Sequence, residues 1–487
     1  MRILHTSDWH LGRTFHGRVL DDAHAVFADH LVELARTEAV DAVVVSGDVY
    51  DRAIPPTDSV RLLDETLRRL SDITRVILTP GNHDSARRLG FASDLLREGL
   101  TIRARVADVD RPVIVPGPDG GDGLYVYALP YLDPDAARET LPPLLADRLG
   151  EEPTDAARTA PEGARTAIPE TAGGHSEKAA GDPPGTASDA PARRLPRSHE
   201  AVVSGALRLV AADLAARRAA APARVPALVM SHAFVVGGLP SEESERDIRV
   251  GGVDSVPSGV FASLGGSPSA DECGGLDYVA LGHLHRPQEI RSAGGAGRPN
   301  GPGKAGGTGG PEAGESDGPG ESGPPQRDSR PGPRLVYSGS PLALSFSEAP
   351  FPKSSVLVAL GPDGVASLER VPAPVPHRIE TVTGTMDELL SPAWDHAAGA
   401  WVRAVVRGPM PLGATSRLRE RFGQVLAIVR EEDEEAPRER IVVTRAADPL
   451  EVSAQFLAEV AERAPSPAER AVLARAYEAV LASHGGE

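Results

Sequence analysis

The sequence predicts an α/β protein with a small α+β unit and two helices at its C-terminal end. Two observations lead to this prediction. Short, uniformly apolar runs alternate with amphipathic segments over the first 100 residues, and similar apolar runs return further along the chain. Strands that are apolar on both faces are typical of a sheet covered on both sides. The chain has 487 residues, 40% of them hydrophobic, which is enough for about three domains with a sizeable core.

The predicted elements follow from these patterns in chain order. Apolar strands are expected at residues 3–6, 42–45 and 76–78, with amphipathic helices between them over 20–36 and 59–70. Four more strands are predicted at residues 124–129, 227–230, 278–281 and 335–337. Beyond His377 the pattern changes to strands at 401–406 and 425–428 with a helix over 416–422, which predicts the α+β unit.

Two stretches of biased composition interrupt the α/β pattern. Residues 149–199 are rich in Ala, Pro, Thr, Asp and Glu, and residues 292–333 are dominated by Gly and Pro. Neither stretch can bury enough apolar surface to offset the entropy of ordering, so both are predicted to be disordered insertions. We expect a domain over residues 1–375 that contains both insertions, an α+β capping domain over 376–447 and a helical segment over 448–487.

The helical segment contains two amphipathic patterns, over residues 451–462 and 468–482, separated by a Pro-Ser-Pro sequence at 465–467. The first pattern places Val452, Phe456, Leu457 and Val460 on one face. This face could pack on its own domain or dock onto another protein, and the sequence leaves both interpretations open.

Charge and cysteine content limit the classes of partner and compartment. The formal charge of −18 argues against generic electrostatic capture of nucleic acid. It does not exclude a nuclease, because exposed charges are screened and bound cations reverse the local sign. The single cysteine, Cys273, excludes a disulfide framework and fits a reducing compartment. No apolar run reaches membrane-spanning length and the first residues lack a signal-peptide pattern, so we expect a soluble, cytoplasmic protein without a membrane partner.

Residues of metal-binding type follow five of the predicted strands. In chain order they are Asp8, His10, Asp48, Asn82, His232, His283 and His285. Because ligands of open α/β sheets bind beyond the carboxyl ends of strands, these side chains are expected to converge. Within Asp8-x-His10 and His283-x-His285, an extended backbone would point both side chains to the same side.

Seven donors are too many for one ion and suit two ions that share a bridging carboxylate. Carboxylate, imidazole and amide donors without thiolates favour Mn²⁺, Fe²⁺ or Zn²⁺ over Ca²⁺ and Mg²⁺. Asp-x-His alone is more often structural, Gly-Asn-His-Asp alone could be a turn, and His232 alone is as often a core histidine. Their shared position after apolar strands favours a metal site. The histidines near the first helix, His16, His24 and His30, are expected to face solvent, and His5 to lie in the core.

The order of these motifs resembles the calcineurin-like metallophosphoesterase superfamily. Within it, the strings HTSDWHLG at 5–12, GHLH at 282–285 and YSGSP at 337–341 are similar to the SbcD family, the nuclease subunits of bacterial SbcCD complexes. The resemblance covers residues 1–130, 200–290 and 334–483. It implies a two-sheet sandwich flanked by helices, with the C-terminal unit as a capping domain.

The resemblance also implies roles for individual residues. Two divalent ions, Mn²⁺ by preference, would be held by Asp8, His10 and His285 on one side and by Asn82, His232 and His283 on the other, with Asp48 as the bridge. His83 would contact the scissile phosphate, and Asp84 would orient the His83 side chain. The second insertion would lengthen a hairpin between the segments around 282–285 and 337–341.

A DNA nuclease that acts as double-strand exonuclease and hairpin endonuclease is the function the resemblance implies. The chain lacks a G-x-x-x-x-G-K-[ST] loop, so ATP hydrolysis would come from a partner, an SbcC-type ATPase docked on the terminal helices. The resemblance further implies a homodimer within a heterotetramer. Arginines that follow the ligand motifs are candidates for contacts with DNA phosphates: Arg13, Arg18, Arg52, Arg87 and Arg88.

Two other functions remain compatible with the residues. The same metal site could act on a small phosphodiester or a phosphoprotein, although such a hydrolase has less use for a capping domain and docking helices. Alternatively, the metal could stabilise an adapter whose main activity is to bind the ATPase. The His83-Asp84 pair argues against the adapter, because neither residue is needed only to hold ions.

Overall fold

The structure is a computed structural model that describes residues 1–96, 98–150, 194–240, 255–271, 273–290 and 332–431, with 453, 465–473 and 475. Most of the two predicted insertions lies outside the described residues, and so does most of the two predicted C-terminal helices. The flanks of the first insertion are helical, because one helix continues to Leu149 and the next begins at His199.

The described chain contains both strands and helices, which alternate mainly in its first 100 residues. The strands are β1 (Arg2–Thr6), β2 (Thr14–Phe15), β3 (Arg18–Val19), β4 (Ala42–Ser46), β5 (Arg75–Thr79), β6 (Leu100–Ile102), β7 (Val113–Pro116), β8 (Asp122–Ala128), β9 (Ala227–His232), β10 (Phe234–Val235), β11 (Ser255–Val256), β12 (Tyr278–Gly282), β13 (Gln288–Ile290), β14 (Arg334–Tyr337), β15 (Ser354–Gly361), β16 (Gly364–Pro372), β17 (Ile379–Gly384), β18 (Trp401–Val406) and β19 (Val425–Arg430). The helices are α1 (Asp21–Thr37), α2 (Thr57–Ser71), α3 (Ala86–Leu89), α4 (Pro134–Leu149), α5 (His199–Ala220), α6 (Gly259–Ala262), α7 (Met386–Leu389) and α8 (Ala414–Phe422).

Two six-stranded sheets form the centre of the fold. The first has the order β16-β15-β1-β4-β5-β6, and the second has the order β13-β14-β12-β9-β8-β7. Strands β1, β4, β5 and β6 run parallel, as do β14, β12, β9 and β8. Strands β13 and β14 pair antiparallel and form the hairpin expected around the second insertion. The predicted two-sheet α/β sandwich is confirmed.

Alternation along the strands sends side chains into separate cores. Ile3 and Val44 of the first sheet pack with Leu228 and Ala280 of the second between the sheets. The other faces of the strands pack against helices: α1 and α2 cover the first sheet, and α4 and α5 cover the second. Both faces of the inner strands are therefore buried, which explains why β1, β4, β5, β9 and β12 are apolar over most of their length. The edge strand β16 has exposed residues.

Helix α1 corrects one prediction. His24 was expected to face solvent but is only 1% exposed, and its Nε2–H donates to the carbonyl oxygen of Trp9 at 2.8 Å. Trp9 follows β1 and is buried against Phe27 of α1. The loop after β1 therefore lies on α1 and covers His24. His16 is exposed, His30 is half-buried, and His5 lies in the core as expected.

A smaller sheet forms after residue 376, with strand order β17-β18-β19. Val382, Val402, Leu418 and Phe422 belong to its own apolar core, which α7 and α8 complete. This is the predicted α+β unit by its elements. Residues 1–429 form one compact unit and residues 430–487 another, and the finer domain boundaries at 375 and 447 remain predictions.

In the C-terminal unit, residues 467–473 are helical. Ser466 begins this helix with a reciprocal cap: its Oγ accepts from the Glu469 amide at 3.3 Å, and its own amide donates to Glu469 Oε2 at 2.8 Å. No helix among the described residues is long and apolar enough to cross a membrane.

Candidate metal centre

The candidate ligands lie where both sheets present the carboxyl ends of parallel strands. Asp8 and His10 follow β1, Asp48 follows β4, and Asn82 follows β5. In the second sheet His232 ends β9, and His283 and His285 follow β12. The sheets meet at this edge, because His232 Nδ1–H donates across to the carbonyl oxygen of Ser46 at 3.0 Å. The predicted convergence of strand ends is observed.

The backbone at this edge is not extended. The prediction from the spacings Asp8-x-His10 and His283-x-His285 assumed an extended backbone, and that assumption is wrong. Asp8, His10, Asp48 and His283 have φ values of 54°, 48°, 48° and 101°, in or near the left-handed region that residues other than glycine seldom adopt. The segment after β1 is held in this form by the segment after β4: the His10 amide donates to the Asp48 carbonyl at 3.0 Å. Such strain persists only where surrounding structure over-determines it, and it is concentrated at functional sites.

Three ligand atoms meet on one side of the site. Asp8, His10 and His285 form a buried group whose ligand atoms all lie within 4.8 Å of one another. The Nε2 atoms of His10 and His285 are 3.1 Å apart. Two imidazole nitrogens and a carboxylate at these distances can coordinate one cation.

Asp48 lies between this group and a second one. Its Oδ2 is 3.6 Å from His10 Nε2 and 3.4 Å from His232 Nε2. Asp8, Asp48 and His232 also form a group with ligand atoms within 4.8 Å. Asn82 Oδ1 is 2.9 Å from His232 Nε2, which adds an amide oxygen on that side.

His283 lies beside these groups. Its ring centre is 5.3 Å from that of His232, and its backbone N–H donates to Asp8 Oδ1 at 2.9 Å. Within the described ranges, the groups of three acidic or histidine ligands do not include the His283 side chain. Burial and then the neighbouring His232 charge hold the pKa of His283 well below its ordinary value, so its imidazole is neutral and able to donate a lone pair.

The centre of the site holds a charged carboxylate among imidazoles. Burial would raise the pKa of Asp48, but the imidazoles of His232, His10 and His83 outweigh it and hold that pKa well below its ordinary range. Burial lowers the pKa of His232, yet Asp48 raises it to about 9. A carboxylate surrounded by imidazoles without thiolates is the donor set of Mn²⁺, Fe²⁺ or Zn²⁺, and the residues therefore fit divalent metal ions.

His83 lies next to the ligands, and its orientation is defined. Its Nδ1–H donates to the Asp51 carbonyl oxygen at 2.8 Å, which leaves Nε2 directed toward Asp48 Oδ2 at 4.0 Å. His83 also forms a group with His10 and Asp48 whose ligand atoms lie within 4.8 Å, although the resemblance gives it no ligand role.

Asp84 acts on the loop backbone. Its carboxylate accepts N–H bonds from Val49, Tyr50 and Gly81 at 2.9–3.0 Å, so it joins the loop after β4 to the loop that carries His83. Burial, and then the charge of Asp48, raises the pKa of Asp84 to about 6.

Sequence reasoning missed three charged side chains that contact candidate ligands. Asp51 Oδ1 lies 3.6 Å from His10 Nδ1, and Glu348 Oε1 accepts from His285 Nδ1–H at 3.0 Å. Lys353 pairs with Glu348. One signal was available for Lys353: the chain has three lysines, and the other two, Lys178 and Lys304, lie in the insertions of biased composition.

The predicted DNA-contacting arginines differ in their surroundings. Arg13 Nη1 pairs with Asp51 Oδ1 at 2.9 Å and neutralises a carboxylate beside His10. Arg18 is exposed and donates to Gln424 Oε1 at 3.1 Å. Arg52, Arg87 and Arg88 are exposed in the segments that follow Asp48 and His83.

Comparison with known proteins identifies the family. Residues 1–144 match the calcineurin-like phosphoesterase family. The SbcD subunit of the nuclease SbcCD from Rhodobacter capsulatus is 30% identical over 432 residues, which cover 85% of this chain and 82% of that protein. The chain belongs to the SbcD family of nuclease subunits. The Bacillus subtilis member is also 30% identical, over 373 residues that cover 76% of this chain and 69% of that protein.

Family membership and the site agree on the chemistry. The chain is a metal-dependent nuclease, a hydrolase that acts on phosphodiester bonds, and its buried Asp and His cluster provides a site for divalent metal ions. The resemblance inferred from the short strings is thereby confirmed at the level of the family.

Proposed function

We propose that this protein hydrolyses DNA as a double-strand exonuclease and hairpin endonuclease, in a complex with an SbcC-type ATPase. The observation that carries the proposal is the buried cluster of Asp8, His10, Asp48, His232 and His285 with the His83 imidazole beside it. The relatives are named as subunits of a nuclease, SbcCD, which supports a partner subunit for this chain.

We assign two divalent ions, Mn²⁺ by preference, to this cluster. Asp8, His10 and His285 would hold one ion, Asn82, His232 and His283 the other, and Asp48 would bridge them. The position of Asp48 Oδ2, 3.6 Å from His10 Nε2 and 3.4 Å from His232 Nε2, supports the bridge. When bound, such ions supply charge neutralisation at the phosphoryl group and an activated water.

The protein residues would orient the phosphodiester and move one proton. His83 is held through Nδ1–H, so Nε2–H of the doubly protonated ring is the group that would give a proton to the leaving oxygen, which would leave a neutral imidazole. Asp84 would keep His83 in place through the loop backbone. The exposed Arg52, Arg87 and Arg88 would contact phosphates along the duplex, which positions DNA without reading its sequence.

The assembly and location complete the proposal. We propose a homodimer within a heterotetramer, with residues 448–487 as the ATPase-docking segment. A cytoplasmic location is proposed because the single cysteine fits a reducing compartment.

The test is Mn²⁺-dependent cleavage of a hairpin-ended DNA duplex by the wild-type chain and by His83→Ala. Loss of the proton donor is expected to slow cleavage by about 10²–10⁴-fold while metal content stays at the wild-type level. The control is His396→Ala. This histidine is exposed and lies in the α+β unit of the smaller sheet, so the variant should cleave normally.

Two results would count against the proposal. Normal cleavage by the His83→Ala protein would remove His83 from the chemistry. Turnover of bis-p-nitrophenyl phosphate without any cleavage of DNA, with and without an SbcC-type ATPase, would favour a small phosphodiester as the substrate.

A further inference from the structure

The segment between β14 and β15 passes directly behind the ligand His285. The Ser340 amide donates to the His285 carbonyl oxygen at 3.1 Å. Gly339 has a φ of +76°, and a Cβ there would lie 2.7 Å from the same carbonyl oxygen. The backbone at position 339 can therefore lie this close to the His285 carbonyl oxygen only if the residue is glycine. This gives the glycine of the sequence YSGSP a physical role beside the ligand His285.

Glu348 of this segment holds the His285 ring. It lies in the 3₁₀ turn Phe346–Glu348 and is fully buried. Its Oε1 accepts from His285 Nδ1 at 3.0 Å, so the ring proton lies on Nδ1. The lone pair of Nε2 is then directed toward His10, whose Nε2 is 3.1 Å away. A carboxylate on the far nitrogen of a ligand histidine fixes its tautomer and its orientation.

Lys353, which immediately precedes β15, completes the contact with His285. Its Nζ forms a buried ion pair with Glu348 Oε2 and donates to Ser340 Oγ at 2.8 Å and to the His285 carbonyl oxygen at 3.1 Å. A buried carboxylate is strongly unfavourable without a partner, so the lysine allows Glu348 to remain charged. The pair thus holds both the ring and the backbone of His285.

We propose that Glu348 and Lys353 are positioning residues for His285 and set the affinity of the metal position formed by Asp8, His10 and His285. The inference rests on the metal site of the proposed function. A purely structural pair would instead only fasten the segment 338–353 to the sheets, and its loss would lower stability without changing the affinity for metal.

The experiment titrates the metal-free, full-length protein with Co²⁺ and follows both the bound ion and its visible absorption, which reports coordination. Glu348→Gln is expected to weaken one of the two binding events by about 10–100-fold and to change the absorption of that ion. The matched control is Glu289→Gln, which breaks an exposed carboxylate–arginine pair with Arg334 on the neighbouring hairpin and should bind as wild type does.

Variants at Lys353 keep the test decisive. Lys353→Met is expected to weaken the same binding event, and Lys353→Arg to restore most of it because the charge is retained. Should Glu348→Gln not fold, the double variant Glu348→Gln/Lys353→Met removes both charges together and is expected to fold with the weakened event.

Each contrary outcome has its own meaning. Unchanged Co²⁺ affinity and absorption in a folded Glu348→Gln protein would overturn the inference and leave the proposed function intact. Failure of both the single and the double variant to fold would assign the pair to the fold and overturn the inference as well. Wild-type protein that binds no Co²⁺ would refute the metal site itself.

Discussion

Glycines bring the backbone into contact with the candidate ligands. A Cβ at Gly47 would lie 2.3 Å from His232 Nδ1, and one at Gly81 would lie 2.2 Å from Asp48 Oδ1. A Cβ at Gly282 would lie 1.9 Å from the Ser46 carbonyl oxygen. These distances are shorter than any real Cβ contact, so the site can close only if these three positions lack a side chain.

Gly81→Ala tests this closeness directly, because the φ of Gly81 is not left-handed and the effect is steric alone. The added methyl group must displace Asp48, and we expect stability to fall by about 1–3 kcal/mol. Nuclease activity should fall by about 10²-fold, as follows from a misplacement near 1 Å. Urea unfolding and cleavage assays measure the two effects.

Gly259→Ala is the matched control for Gly81→Ala, because a Cβ there meets nothing within 4 Å. It should change stability by less than about 0.5 kcal/mol and leave activity unchanged. Wild-type activity in Gly81→Ala would show that the loop and Asp48 can separate without cost.

At the level of elements, the short hairpin β2–β3 connects the segment after His10 to the smaller sheet, β17-β18-β19. Phe15 of β2 is buried, with ring centres 5.0 Å from Phe346 and 5.6 Å from Trp401 of β18. Phe346 belongs to the same turn as Glu348. One aromatic cluster thus joins the first ligand loop, the segment behind His285 and the smaller sheet.

Phe15→Ala is expected to destabilise the protein by about 3–5 kcal/mol, because it removes a buried ring and leaves a cavity beside Phe346 and Trp401. Val19→Ala on the same hairpin is the control: Val19 is 57% exposed, and its loss should cost less than about 0.5 kcal/mol. Denaturant unfolding measures both. Equal midpoints for the two variants would contradict the role of the cluster.

At the level of the whole molecule, the two sheets and the helices that cover them bury two histidines that are not candidate metal ligands, His5 and His24. Burial lowers the pKa of His5 to about 3 and that of His24 to about 4. Both remain neutral in the folded protein, where His5 Nδ1 bonds the Tyr278 hydroxyl at 2.9 Å. In the unfolded chain they take up a proton near pH 6.5.

Protonation therefore favours unfolding, and the contribution of each histidine to stability is lost as the pH falls from about 6.5 toward its folded pKa. For His24 we expect about 2 kcal/mol of lost stability between pH 7.5 and 5.0. His232 acts in the opposite direction because Asp48 outweighs burial and raises its pKa to about 9, so the effect of His24 is read by comparing variants.

Metal-free His24→Gln should accordingly lose about 2 kcal/mol less stability than the wild type over this pH interval, as measured by urea unfolding at both pH values. His16→Gln, at an exposed histidine, should follow the wild type. The same pH dependence in His24→Gln and in the wild type would show that His24 is charged in the fold.

The sequence by itself determined the strands that precede the candidate ligands, the helices α1 and α2 and the residues at the strand ends. Apolar runs and helical periodicity are local properties, and the carboxyl ends of parallel strands lie at one edge in any such sheet. For this reason Asp8, Asp48 and His232 could be assigned to one site although they are far apart in the chain.

Only the tertiary structure decided how the ligands are held. The left-handed backbone of Asp8 and His10 depends on pairing with the segment after β4, and His24 is buried by the loop that carries Trp9. Glu348 reaches His285 across 63 positions of sequence. Contacts between distant segments follow no periodic pattern, because they depend on how loops fold over the sheet ends, and so they appear only when the chain is folded.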